Sequence, residues 1–167
     1  IVILNKALQL AKEKQNIYEA SIAITNLAIS YKGLEDYTRS ITCYHNAIRL
    51  RKQAGKAAIA PNVLLGLGHA HFKSNNLDSA NYYYLILGKS ITPTLNPRFL
   101  VNYYEYIAKY FKKTGQWDKA FVAMDSAASV ANRSNRESQR NLIASYNAFF
   151  NTKAKAYETQ LLEKEIE

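Results

Sequence analysis

The sequence repeats itself every 40 residues, and that period limits the possible folds more than any other feature of the chain. Ser40, Ala80 and Ala120 share one column. The same shift carries Leu27 to Leu67 and Ile107, Ala28 to Gly68 and Ala108, and Tyr31 to His71 and Phe111. It carries Tyr37 to Leu77 and Trp117, Tyr44 to Tyr84 and Met124, and Ala47 to Leu87 and Ala127. Stepping back from Tyr44 and Ala47 lands on Leu4 and Ala7, so the N-terminal stretch reads as the second half of an earlier repeat. A repeat of this length is one supersecondary unit that buries its apolar face only against its neighbours.

Each unit reads as two helices. Leu27, Ala28 and Tyr31 share the apolar face of the first, and Ser40, Tyr44 and Ala47 that of the second. Small residues in the Ala28 and Ser40 columns allow close helix approach, and the Tyr44 column, Met124 included, fills the layer beside them. The chain has 6 Gly and 3 Pro in 167 residues, too few for a many-stranded β fold. The breakers fall at unit boundaries. Lys32-Gly33, Ser74-Asn75-Asn76 and Thr114-Gly115 separate first from second helices, with Gly33 and Gly115 suited to a left-handed cap. Gly55 ends a second helix, Asn96-Pro97 opens a first one as N-cap and N1, and Pro61 trims the start of the middle unit. From Arg136 to Glu167 there is no Gly or Pro, and Leu142, Ile143, Tyr146, Phe149, Phe150, Tyr157 and Leu161 recur along one predicted helix. Its first half is expected to cover the exposed face of the last unit, and its acidic end to project.

These columns resemble the tetratricopeptide repeat. The middle copy carries Leu64, Leu67-Gly68, His71, Leu77, Ala80 and Tyr84; the last carries Tyr104, Ile107-Ala108, Phe111, Gly115, Trp117, Ala120 and Ala127. The period exceeds the family's usual roughly 34 residues, so both helices are expected to be about a turn longer. The Pro that often closes a repeat is missing. The resemblance implies an all-α fold, a right-handed α-solenoid of stacked antiparallel helix pairs with a long C-terminal capping helix. On this division residues 1–132 form the array, with a half repeat at 1–15 and repeats at about 16–55, 56–95 and 96–132. Residues 133–167 form the capping or exit helix. The Glu/Lys-rich exit resembles that of bacterial repeat-containing signalling regulators, where the array precedes a membrane segment and an output domain. That likeness implies a sensor or adaptor role in signalling or transcription, either cytoplasmic or periplasmic.

Nothing in the chain matches a catalytic motif: there is no Gly-rich phosphate loop, nucleophile elbow or His-Glu-x-x-His. His69 and His71 fall on different faces of one helix, and a lone Cys43 makes no thiolate site, so neither a metal nor a cofactor is expected. The runs Tyr82-Tyr83-Tyr84 and Tyr103-Tyr104-Tyr106 read as core filling with hydroxyls reaching the surface. No apolar run approaches the roughly 20 residues of a membrane span.

Recognition remains. Opposite the core columns, each first helix carries a stripe: Ile22, Asn26, Ile29, Gly33; then Asn62, Gly66, His69, Lys73; then Asn102, Tyr106, Lys109, Lys113. Stacked first helices line the concave side of a solenoid. Asn26, Asn62 and Asn102 can hydrogen-bond the main chain of an extended peptide. Lys73, Lys109 and Lys113 can hold acidic groups, Tyr106 adds an amphipathic contact, and His69 lies among them. The expected function is therefore non-catalytic binding of a protein or peptide, with an acidic partner suited to the lysines. Two alternatives stand beside it. The net charge of +9 suits nucleic acid, although the dense basic cluster and paired base-reading residues of RNA-binding repeats are missing. Self-association through the C-terminal helix or the N-terminal edge is the other.

Overall fold

In a computed structural model, residues 1–56 and 59–166 are described, with side chains except those of residues 146 and 149–166. Among these residues there are seven helices and no strand: α1 (Val2–Glu13), α2 (Ile17–Gly33), α3 (Tyr37–Gln53), α4 (Pro61–Lys73), α5 (Leu77–Gly88), α6 (Pro97–Lys113) and α7 (Trp117–Ile166). None is long and apolar enough to cross a membrane.

Five of the six links use one device. Gln15, Glu35, Gly55, Asn75 and Gly115 are left-handed, with φ of 53°, 59°, 72°, 62° and 76°. In each, the left-handed residue donates its N–H three residues back, as Gln15 does to the Lys12 carbonyl. The next residue donates five back, as Asn16 does to the Ala11 carbonyl. These are Schellman caps, recurring on a 20-residue grid that halves the sequence period. Asn16, Asp36 and Asn76 also N-cap the following helix, accepting from the backbone N–H of Glu19, Arg39 and Ser79. One residue thus closes a helix and opens the next, and the chain folds back without slack. Gly33 is not the left-handed residue expected of it; it ends α2 as helix, and Glu35 makes the turn. The exception to the grid is the longer α5–α6 link. There Asn96 caps α6 by accepting from Arg98 and Phe99, with Pro97 at the first helical position.

The repeat columns are the core. Leu67, Ala28, Ala80, Ala47 and Leu87 are fully buried, and so is Ser40, whose Oγ donates to the Ala28 carbonyl at 2.8 Å. Tyr44 and Tyr84 are each 1% exposed. They are the largest fully buried side chains and lie against Gly66 and Gly68, respectively. Each helix packs on its neighbours in sequence. Beyond that α2 touches α4 and α4 touches α6, whereas α3, α5 and α7 do not touch one another among the described residues. The even-numbered helices therefore form a continuous layer, and the odd-numbered ones splay behind it.

The last pair departs from the expectation in two ways. The helix starting at Trp117 does not stop near residue 132; it runs unbroken to Ile166, because no Gly or Pro follows Gly115. Residues from 133 onward thus extend α7 instead of forming a separate cap. Among the described residues α7 packs on α6 alone, and Leu142 and Ile143 are 55% and 60% exposed. The face that a cap would cover stays open. Met124, placed in the core by its column, is 63% exposed, and Trp117 and Phe121 stand out beside it.

Candidate functional site

Rows of the predicted stripe run across α2, α4 and α6, and the structure divides them into two places. Asn26, midway along α2, and Asn62, at the start of α4, line a crevice of about 90 Å³ with Ile22, Thr25 and Arg51. Both Asn side chains are exposed, and Asn102 is half-buried one turn before Tyr106. Gly66, within the stripe, is buried by the Tyr44 ring entering from α3.

Toward the C-terminal ends lies a basic and aromatic cluster. The His69 ring stacks on Tyr106 with centroids 4.2 Å apart and planes inclined by 33°. Lys109 and Lys32 place their ammonium groups 5.8 and 5.9 Å from the centre of the Tyr106 ring. Lys113 sits 5.3 Å over Phe72. Lys73 is close enough to act electrostatically on His69. Lys32 belongs to this site although it lies one residue outside the predicted stripe. The register that ended on Gly33 passed beside it, and its long stem carries its charge across to α6. The C-terminal ends of three helices point their partial negative charge at these lysines, which makes the concentration of cations tolerable.

Among the described residues Asp36–Arg39 is the single ion pair, so none of the cluster lysines has a carboxylate partner. The polar atoms beneath are also unanswered. His69 Nδ1 and the hydroxyls of Tyr44 and Tyr84 are buried without a hydrogen-bond partner. Both hydroxyls feel Tyr106 electrostatically. Burial lowers the Lys32 pKa. Burial first, then Lys32, Lys73 and Lys109, pushes His69 down to about 4. His71, stacked at 5.5 Å on Tyr83, is lowered by burial and by His45. Cys43 is half-buried, and burial raises its thiol pKa, away from a reactive thiolate.

The His69 shift has a measurable consequence. The folded protein resists protonating His69, whereas the unfolded chain takes up that proton near 6.5. Stability is therefore fully present above about pH 6.5 and is lost as pH falls toward 4. His69→Gln is expected to flatten that part of a Tm-against-pH curve, leaving the smaller contribution of His71. An unchanged slope would place the titrating group elsewhere.

Neither a protein-family profile nor a curated protein sequence matches the chain. Among solved structures it is similar to BtubC (BKLC) from P. vanneervenii, with a TM-score of 0.64 and 19% sequence identity. The similarity covers 79% of this chain and 55% of that one, so the chain spans about half the length of its structural neighbour. At this identity the likeness establishes a shared helical fold.

Proposed function

We propose that the chain is a tetratricopeptide-like array, a right-handed solenoid, whose concave face binds an acidic segment of a partner polypeptide without catalysis. Contact between even-numbered helices, and its lack between the odd-numbered ones described, supports a curvature with α2, α4 and α6 inside. The observation that carries the binding reading is the unpaired cation cluster. Lys32, Lys73 and Lys109 surround the His69–Tyr106 stack, Lys113 extends it, and no carboxylate neutralises them among the described residues. An acidic side chain or terminal carboxylate would supply the missing charge. Tyr106 offers its ring to a neighbouring apolar residue, and Asn26, Asn62 and Asn102 offer main-chain hydrogen bonds farther along.

The test uses a fluorescently labelled oligo-glutamate peptide with one central Trp, titrated by anisotropy at low salt. Lys109→Glu with Lys113→Glu is expected to weaken binding about tenfold or more, with the helical circular dichroism unchanged. Equal affinity for the double variant would remove this face from the account. A single-stranded oligonucleotide that binds more tightly than the peptide, with a steep salt dependence, would show phosphate recognition instead.

A further inference from the structure

The open face on α6 and α7 is a groove of about 540 Å³, lined by Ala108, Lys109, Trp117, Ala120, Phe121 and Met124 among others. Forty residues earlier, the equivalent Gly68, His69, Leu77, Ala80 and Tyr84 belong to a joint that α6 fills with Tyr103, Tyr106 and Tyr110. One pair before that, α4 covers Tyr44 with Val63, Gly66 and Leu67. The groove thus repeats a seat that is occupied twice within the chain, each time by an α-helix running back along the preceding one.

The sequence also contains a helix of matching register. Forty residues after Tyr103, Tyr106 and Tyr110 stand Ile143, Tyr146 and Phe150, all in the outer half of α7. That half cannot enter the groove of its own chain. It continues one wall of the groove, and the helical rise carries Ile143 about 33 Å along the axis from Phe121. We infer that the outer half of α7 seats in the end groove of a second copy, which returns the contact, forming a two-fold dimer. Two straight antiparallel helices fill both seats at once. Carrying the α5–α6 register forward sets Ala128 of one copy against Ile143 of the other, as Gly88 meets Tyr103. Arg140 and Asn147 replace the apolar Leu100 and Ile107, so the seat is narrower than the internal joints. A dissociation constant of about micromolar order follows. Lys109 is common to this groove and to the cation cluster, and the variants that test the dimer lie outside that cluster.

Sedimentation equilibrium of the full chain across the micromolar range is expected to show monomer and dimer. Phe121→Glu and Ile143→Glu alter exposed residues and leave the monomer folded. Each is expected to weaken the dimer about 30-fold or more. In a Cys43→Ser background, Ala128→Cys with Ile143→Cys is then treated with a short bis-maleimide. Within one straight helix these positions are about 22 Å apart, beyond the reagent's reach, so cross-linked dimers are expected. A monomer at every concentration, a dimer indifferent to both Glu variants, or a cross-link within a single chain would each overturn the inference. The last result would mean that the segment folds back on its own groove.

Discussion

Gly66→Ala and Gly68→Ala are expected to destabilise the protein, although alanine is the better helix former at both positions. A methyl group at Gly66 overlaps the Oη and Cζ atoms of Tyr44. One at Gly68 comes within 2.5 Å of Tyr84 Cε1 and 2.7 Å of Cδ1. Neither ring has solvent to retreat into, since each residue is 1% exposed. Intrinsic propensity favours the substitution by about 1 kcal/mol. Overpacking a closed core costs about 1–3 kcal/mol and more where a rigid ring must move. The steric cost wins, and a net loss of about 1–2 kcal/mol is expected, equivalent to roughly 2–8 °C in Tm. Thermal melts of both variants check this. Gly33→Ala is the control: nothing lies within 4 Å of its added methyl and its φ is not positive, so it should be neutral or stabilising. Destabilisation of all three alike would mean that backbone freedom, and not the tyrosine rings, requires glycine.

Columns that meet a neighbour on both sides were readable from sequence. Leu67, Ser40, Ala80 and Tyr84 are buried because each copy provides the next one's lining. The same inference failed at Met124 and Trp117, where a column implies a partner that the structure does not place there. Burial belongs to the joint between repeats, and the last joint has one side. The turns illustrate a second gap. Glycine marks a left-handed residue only when glycine is used, as at Gly55 and Gly115. Gln15, Glu35 and Asn75 adopt the same conformation because the flanking helices and their caps impose it. The 20-residue grid was therefore hidden in residue types that ordinarily signal nothing.

For the candidate site, helical spacing put His69, Tyr106, Lys109 and Lys113 on one layer; the structure joins the first three through contacts with the Tyr106 ring and sets Lys113 over Phe72. It missed Lys32, because a strict stripe follows backbone direction and ignores the reach of a four-carbon stem. It also grouped Asn26 and Asn62 with the lysines, whereas they line a separate crevice with Arg51. Spacing along a helix identifies a face; which parts of that face act together depends on how neighbouring helices are offset.

Tyr84 separates packing from polarity. Tyr84→Ala is expected to cost about 3–5 kcal/mol, the range for removing a buried aromatic ring, which lowers Tm by roughly 6–20 °C. The ring is 1% exposed, spans Leu64, Leu65, Ala80 and Leu87, and meets Tyr110 at 5.9 Å in a T-shaped contact. Tyr84→Phe should behave oppositely. The hydroxyl is buried without a partner, and burial pushes its pKa far above the ordinary tyrosine range. Removing it relieves a desolvated polar group and leaves every ring contact, so the variant is expected to match or exceed the parent in stability. The contrast bears on the site above it. Tyr106 packs on the core cluster that contains Tyr84, and it holds His69 and two lysine head groups. If the hydroxyl is only a passenger of the ring, Tyr84→Phe leaves peptide affinity untouched. A loss of more than about 1 kcal/mol in stability would reveal a satisfied hydrogen bond at Tyr84. A loss of affinity at unchanged stability would instead mean that the buried hydroxyl helps to position Tyr106.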